Sequence, residues 1–197
     1  MNLKKILILP VGFLFTTFLY ISCCKCTDVQ TPFYEVRNAS VNPLGSGGVV
    51  IDNGIPVTSD TVFLNYYLGI TCIAEAKTDF SFLVNGAYAC KCPECGGQGL
   101  KSKLLTIEIT SDNVFNGIAA GSSLNSFFKI KADYVSMPNF NIDSLVSNFN
   151  TQGGIRTGFS VFTKTKPGNT FPHKLKMNMV FANNTVVTVI TKPITWQ

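Results

Sequence analysis

Alternation of apolar and polar positions dominates the second half of the chain. Leu105, Ile107 and Ile109 alternate with Thr106, Glu108 and Thr110. A period of two sends successive side chains to opposite faces of a sheet, so this stretch predicts a strand with one buried and one wet face. Leu175, Met177, Met179 and Phe181 alternate in the same way with Lys174, Lys176 and Asn178. Asn183-Asn184 then turns the chain into Val186 to Thr191, a closing hairpin that Pro193 ends or confines to an edge. Ile107 and Met179, in the middle of these runs, are expected in the core. So is Phe82, within Phe80 to Val84, which meets Ala87 to Cys90 across Asn85-Gly86. Asn-Gly is a strong hairpin signal because both turn residues need positive φ.

Other strands are expected at Gly47 to Ile51 before the turn Asp52-Asn53-Gly54, at Val62 to Ala76 (one strand bent at Gly69, or two), at Phe127 to Tyr134 and at Thr157 to Thr163. One short helix fits Asn141 to Phe149. Ile142, Leu145, Val146 and Phe149 share a face there, with Asn141 or Asp143 as the cap. Gly153-Gly154 breaks the chain after it. Short strands joined by Asn and Gly turns predict an all-β fold, an antiparallel sandwich or partly open barrel with at most one short helix.

The opening of the chain is different. Met1 to Lys5 is basic, Ile6 to Ile21 is apolar apart from Thr16 and Thr17, and Ser22-Cys23-Cys24-Lys25-Cys26 follows. A basic start, an apolar run and a small residue before a cut site form a secretory leader. The run is short for a spanning helix and holds Pro10; the alternative is a retained anchor helix. Tyr20-Ile21-Ser22-Cys23 resembles the lipobox of bacterial lipoproteins, with Leu19 one place earlier than the usual Leu. The resemblance implies acylation of Cys23, with Cys24 as the rival acceptor, and a membrane partner reached through the lipid anchor. The expected organisation is a leader over 1–22, a lipidated tether over 23–33 and a single β domain over 34–197.

Composition agrees with the strand pattern. Sixteen Phe and six Tyr accompany abundant Thr, Val and Ile, while Ala and Glu are scarce. Charged residues make up 14% and hydrophobic ones 46% of the chain, which excludes a disordered protein. The formal net charge of +5 falls by two if Lys4 and Lys5 leave with the leader. The remaining basic residues are densest at Lys164-Thr165-Lys166 and Lys174-Leu175-Lys176, a solvated face and not a nucleic-acid stripe.

Candidate chemistry is sparse. A single His excludes a catalytic pair of histidines and any metal site with two His ligands. His173, after Pro172 and beside Lys174, is expected at the surface. Gly45-Ser46-Gly47-Gly48 precedes a strand and is expected to be a loop, not a phosphate cradle. Glu75 and Glu108 are the pair a glycosidase would need across a cleft, among eleven otherwise dispersed carboxylates. The expectation is therefore no enzyme, no cofactor and no metal.

Seven Cys occur, and six remain if Cys23 is acylated. Outside the cytoplasm an even number favours disulfides. Cys72, Cys90, Cys92 and Cys95 are the candidates, with Cys72 expected to join one of the other three. Cys92-Pro93-Glu94-Cys95-Gly96-Gly97-Gln98-Gly99 resembles one turn of the CxxCxGxG repeat of the DnaJ chaperone zinc domain. One turn does not make that family's site, and zinc is left only if all four thiols join in.

Leader, Ser-Cys lipobox and Asn/Thr/Phe-rich β domain together resemble the small lipoproteins of Bacteroidetes cell envelopes. One such family of unknown function is similar along most of the chain, including the end Ile194-Thr195-Trp196. The resemblance implies an outer-membrane lipoprotein, on its periplasmic or surface face, and brings no catalytic residues. Asp60-Thr61-Val62 and Asp143-Ser144-Leu145 match the O-glycan acceptor pattern of those bacteria, which implies Thr61 and Ser144 as acceptors; the alternative is two ordinary turns. The function expected is a lipid-anchored binding or structural module of the envelope with a glycan or envelope-protein partner and no nucleic acid. A fimbrial or adhesin-type assembly subunit is the alternative, followed by a carbohydrate hydrolase. The oligomeric state stays open.

Overall fold

A computed structural model of the chain describes residues 33–52, 55–73, 95–131, 141–151 and 153–197. All of these fall in one compact unit formed by 31–74 and 94–197. Seven strands are present among the described residues: β1 (Phe33–Leu44), β2 (Val62–Ile73), β3 (Leu104–Ser111), β4 (Lys129–Lys131), β5 (Gly158–Thr163), β6 (Leu175–Phe181) and β7 (Val186–Ile190). A single helix, α1 (Ile142–Thr151), lies between β4 and β5 in the sequence. The strands form two antiparallel sheets, ordered β1-β2-β5-β4 and β3-β6-β7. The fold is thus an all-β sandwich with one helix.

The core follows from the period-two pattern. Val62, Leu64, Tyr66 and Leu68 of β2 point inward, as do Ile107 and Ile109 of β3 and Leu175, Met177, Met179 and Phe181 of β6. Ile107 and Met179 pair directly across β3 and β6 and are both buried. Phe82 and the Asn85-Gly86 hairpin lie outside the described residues. The helix closes one flank, where Ile142, Leu145 and Phe149 turn inward. Asn141 caps it: its Oδ1 accepts from the Ser144 amide at 2.8 Å and from the Ser144 hydroxyl at 2.7 Å. The cap is therefore Asn141 and not Asp143.

Three expectations need correction. β1 carries no clean alternation, because a bulge between Val36 and Asn38 switches its faces midway. The strand opens at Phe33, the last residue assigned to the tether. The bulge stands opposite Gly69, where Asn38 packs so closely that a Cβ would collide with its side chain. β2 is accordingly one strand. Gly47 to Ile51 is not a strand. Gly47 and Gly48 take positive φ in a 3-10 turn (Ser46–Gly48), and Val49 and Val50 are left exposed. Phe127 belongs to a second 3-10 turn (Asn125–Phe127), so the expected Phe127 to Tyr134 strand is reduced to β4 among the described residues.

Cys72 at the end of β2 is joined to Cys95 by a disulfide, with Cα atoms 5.6 Å apart. The Cys95–Gly99 turn is also bound to β1. The Tyr34 amide donates to the Gly99 carbonyl, and the Lys101 amide to that of Tyr34, each at 3.0 Å. The disulfide loop thus fastens the start of β1.

Candidate functional site

β3 is one of the two edge strands of its sheet, and an edge exposes unpaired backbone groups. Two asparagine side chains occupy much of this edge. Asn125 Nδ2 donates to the Ile107 carbonyl at 2.7 Å, and its Oδ1 accepts from the Ile109 amide at 2.9 Å. Asn150, from the last turn of α1, makes the equivalent pair with Leu104, donating at 2.8 Å and accepting at 2.9 Å. A carboxamide has the donor and acceptor of a peptide group, so each side chain stands in for a neighbouring strand. The Leu124 amide and the Gly121 amide bind the Ile109 and Ser111 carbonyls further along.

Between the two asparagines the edge is indented. Leu105 is the extra residue of a bulge between Leu104 and Thr106 and is 54% exposed. The Ile107 amide points the same way as its carbonyl, into the space between the caps. There an open cleft of about 400 Å³ is lined among others by Leu105, Glu108, Ser123, Asn125, Asp143 and Val146. Glu108 sits on the outer face of β3, and Asp143 in the first turn of α1. Both carboxylates are exposed, and neither has an ion-pair partner among the described residues. Their oxygens accept hydrogen bonds, and Leu105 and Val146 supply apolar contact. Hydroxyl-bearing ligands suit such a mixture.

A second cluster surrounds His173. Its Nδ1 lies 2.8 Å from Ser111 Oγ and its Nε2 3.0 Å from Asn169 Oδ1. The ring sits edge-on to Phe115 and Trp196, with centroids 5.6 Å away in each case. Composed like a hydrolytic Ser-His-Asn set, it lacks the access that chemistry needs. Ser111 is 3% exposed and His173 fully buried. Burial lowers the His173 pKa from its ordinary value of 6.5, against the opposing pull of Asp112. The expected surface position of His173 is thus corrected. The signal was present: His173 stands two residues before Leu175 and continues the buried register of β6. Nothing comparable marks Asn125 or Asn150, because a strand-edge cap is made by residues distant in sequence.

The remaining expected sites are dispersed. Cys23, Cys90, Cys92 and Glu75 lie outside the described residues. Cys72 and Cys95 are bonded to each other, which leaves neither sulfur as a thiolate ligand. Thr61 is half-buried immediately before β2, with its amide bound to Ser59 Oγ; the preceding Asp60 lies 3.7 Å from Lys166. The Ser144 hydroxyl is engaged by the helix cap. Among the described residues, no group of three or more His, Cys, Asp or Glu is placed to hold a metal ion, and no helix is long and apolar enough to cross a membrane. No family model, curated protein or solved structure matches the chain.

Proposed function

We propose that this protein is a lipid-anchored binding module of the bacterial outer membrane that takes a hydroxyl-rich ligand, a glycan, in the cleft beside β3. The observation that carries the ligand site is the pair of unpaired carboxylates, Glu108 and Asp143, facing an indented and otherwise capped strand edge. Leader and lipobox support the anchor. Nine residues between Cys23 and β1 reach at most about 30 Å, which keeps the domain near the lipid surface. Burial of Ser111 and His173 away from solvent supports binding over hydrolysis by that pair. Asn125 and Asn150 work against a donated strand at β3, because either would have to be displaced first.

Calorimetric titration with neutral oligosaccharides released from bacterial envelopes tests the site. Wild-type protein is expected to bind, and Glu108→Gln with Asp143→Asn to weaken binding by tenfold or more. Equal binding by the double variant would place the ligand elsewhere. No heat with any envelope glycan would remove the glycan reading.

A further inference from the structure

The hydrogen bonds around His173 admit one neutral tautomer. Asn169 is oriented by the backbone: its Nδ2 donates to the Val114 carbonyl at 2.8 Å, and its Oδ1 accepts from the Phe171 amide at 3.2 Å. Asn169 Oδ1 therefore faces the ring as an acceptor, so Nε2 carries the proton. Nδ1 is then an acceptor and receives the Ser111 hydroxyl proton. Ser111 Oγ also accepts from the Asn113 amide at 3.2 Å. Every polar atom of the ring is used once.

Two loops depend on this arrangement. Residues 112–118 follow β3 and residues 164–174 precede β6. Asn113 Nδ2 also donates to the Pro172 carbonyl at 2.7 Å, and Asn116 Nδ2 to that of Lys166 at 3.0 Å. Together the loops hold Val114 and Phe171 out in solvent, 50% and 66% exposed. The His173 backbone joins Ile194 in both directions, at 2.8 and 2.9 Å, and this ties the same loops to the C-terminal segment. A small cavity lined by Glu35, Arg37, Phe181, Asn183 and Thr185 marks the opposite end of β6, where β1 begins. The apolar tip is thus at the opposite end of β6 from the start of β1.

We propose that His173 is an acid-sensitive latch: neutral, it locks the 112–118 and 164–174 loops, and on protonation it releases them locally while the two sheets stay folded. A proton on Nδ1 turns that atom into a donor facing Ser111 Oγ. The serine hydrogen must then leave Nδ1, and the hydrogen bond it makes in the neutral state is lost. The cation would also sit buried beside the roughly perpendicular rings of Phe115 and Trp196 in place of water. Charged groups on the packed segments are few. Asp112 favours the cation, although its Oδ1 already accepts from the Lys174 amide at 2.7 Å. Lys174 follows the histidine directly, Lys166 turns to Asp60 and the Gln197 carbonyl, and residues 194–197 carry no charged side chain. The sign follows from the lowered pKa. The latch is closed above pH 6.5 and opens as pH falls below that value.

The chain has one His and one Trp, and they are in contact, so Trp196 emission reports the switch. In full-length protein the emission is expected to titrate reversibly with a midpoint below 6.5. Hydrogen exchange at the acid end should rise in peptides from 112–118 and 164–174 and not in those from 62–68 and 158–163. Ser111→Ala removes the donor to neutral Nδ1 and should move the midpoint up. Asp112→Asn removes the favourable charge and should move it down. His173→Gln should abolish the response; if that variant does not fold, the opposed shifts of the other two decide. A flat titration, shifts of the wrong sign, or simultaneous exchange of all peptides would overturn the latch.

Discussion

At the residue scale, burial and close approach separate the positions that tolerate change from those that do not. Met179 is fully buried opposite Ile107, and both lie in the alternation that marks β3 and β6. Truncating such a side chain leaves a cavity, so Met179→Ala should cost about 2–5 kcal/mol, read as a lower denaturant midpoint. An unchanged midpoint would take Met179 out of the core. Glycine replacements divide by what the new Cβ meets. At Gly158 it would strike the backbone carbonyl of Tyr66, which is held in the ladder between β2 and β5. At Gly69 it would meet the side chain of Asn38, which is able to swing away. Gly158→Ala is therefore expected to lower the melting temperature by more than Gly69→Ala. The reverse order would mean that the β2–β5 backbone yields more readily than a surface amide. Alternation gives the inward side of Met179 directly. Neither glycine has a local signature, since each is required by a strand distant in sequence.

At the scale of elements, the strands read well where one face is apolar throughout and poorly where a bulge intervenes. β6 and β7 match the expected hairpin, with Asn184 supplying the positive φ of the turn. β1 is hidden because its bulge interrupts the period, and the valines after Gly47-Gly48 imitate a strand without a partner beyond the single bridge of Val50 to Leu44. The β3 edge depends on Asn125. Asn125→Ala leaves the Ile107 carbonyl and Ile109 amide without their side-chain partner. A loss of about 1–3 kcal/mol is expected, with faster exchange of the Ile109 amide. Unchanged exchange at Ile109 would show that the Asn125 side chain is not what protects this amide. The Cys72–Cys95 bridge spans a sequence separation of 23 residues. The chain-entropy model assigns such a loop about 3 kcal/mol, so the Cys72→Ser/Cys95→Ser pair should unfold at a correspondingly lower denaturant concentration. Equal midpoints for the variant and the oxidised wild type would show that the bridge adds nothing to stability.

At the scale of the whole molecule, the domain begins ten residues after Cys23 and is fastened there by the Cys95–Gly99 turn. In cells fed a clickable fatty acid, wild-type protein is expected to take the label. Cys23→Ala should lose it and accumulate as precursor. Normal labelling of the variant would move the acceptor to another residue such as Cys24, and an unlabelled wild type would remove the anchor.

The sequence alone determined the β class, the sides of β6 and the inward side of Ile107 and Ile109, the extent of the helix to within two residues and the set of cysteines from which the bridge is drawn. These are local properties: a period of two or 3.6 needs only neighbouring residues to be visible. The β3 bulge turns Leu105 out and leaves Thr110 buried, against the simple alternation. Tertiary structure decided which cysteine Cys72 meets, that Glu108 and Asp143 line one cleft, and that asparagines seal the β3 edge. Each of these joins elements separated by an intervening strand, turn or helix. Their residue types are common polar ones that chemistry alone does not tell apart. The caps show the reason most plainly: Asn125 and Asn150 look like two of many turn residues until the fold lays β3 beside them, and only then does a carboxamide become a substitute strand.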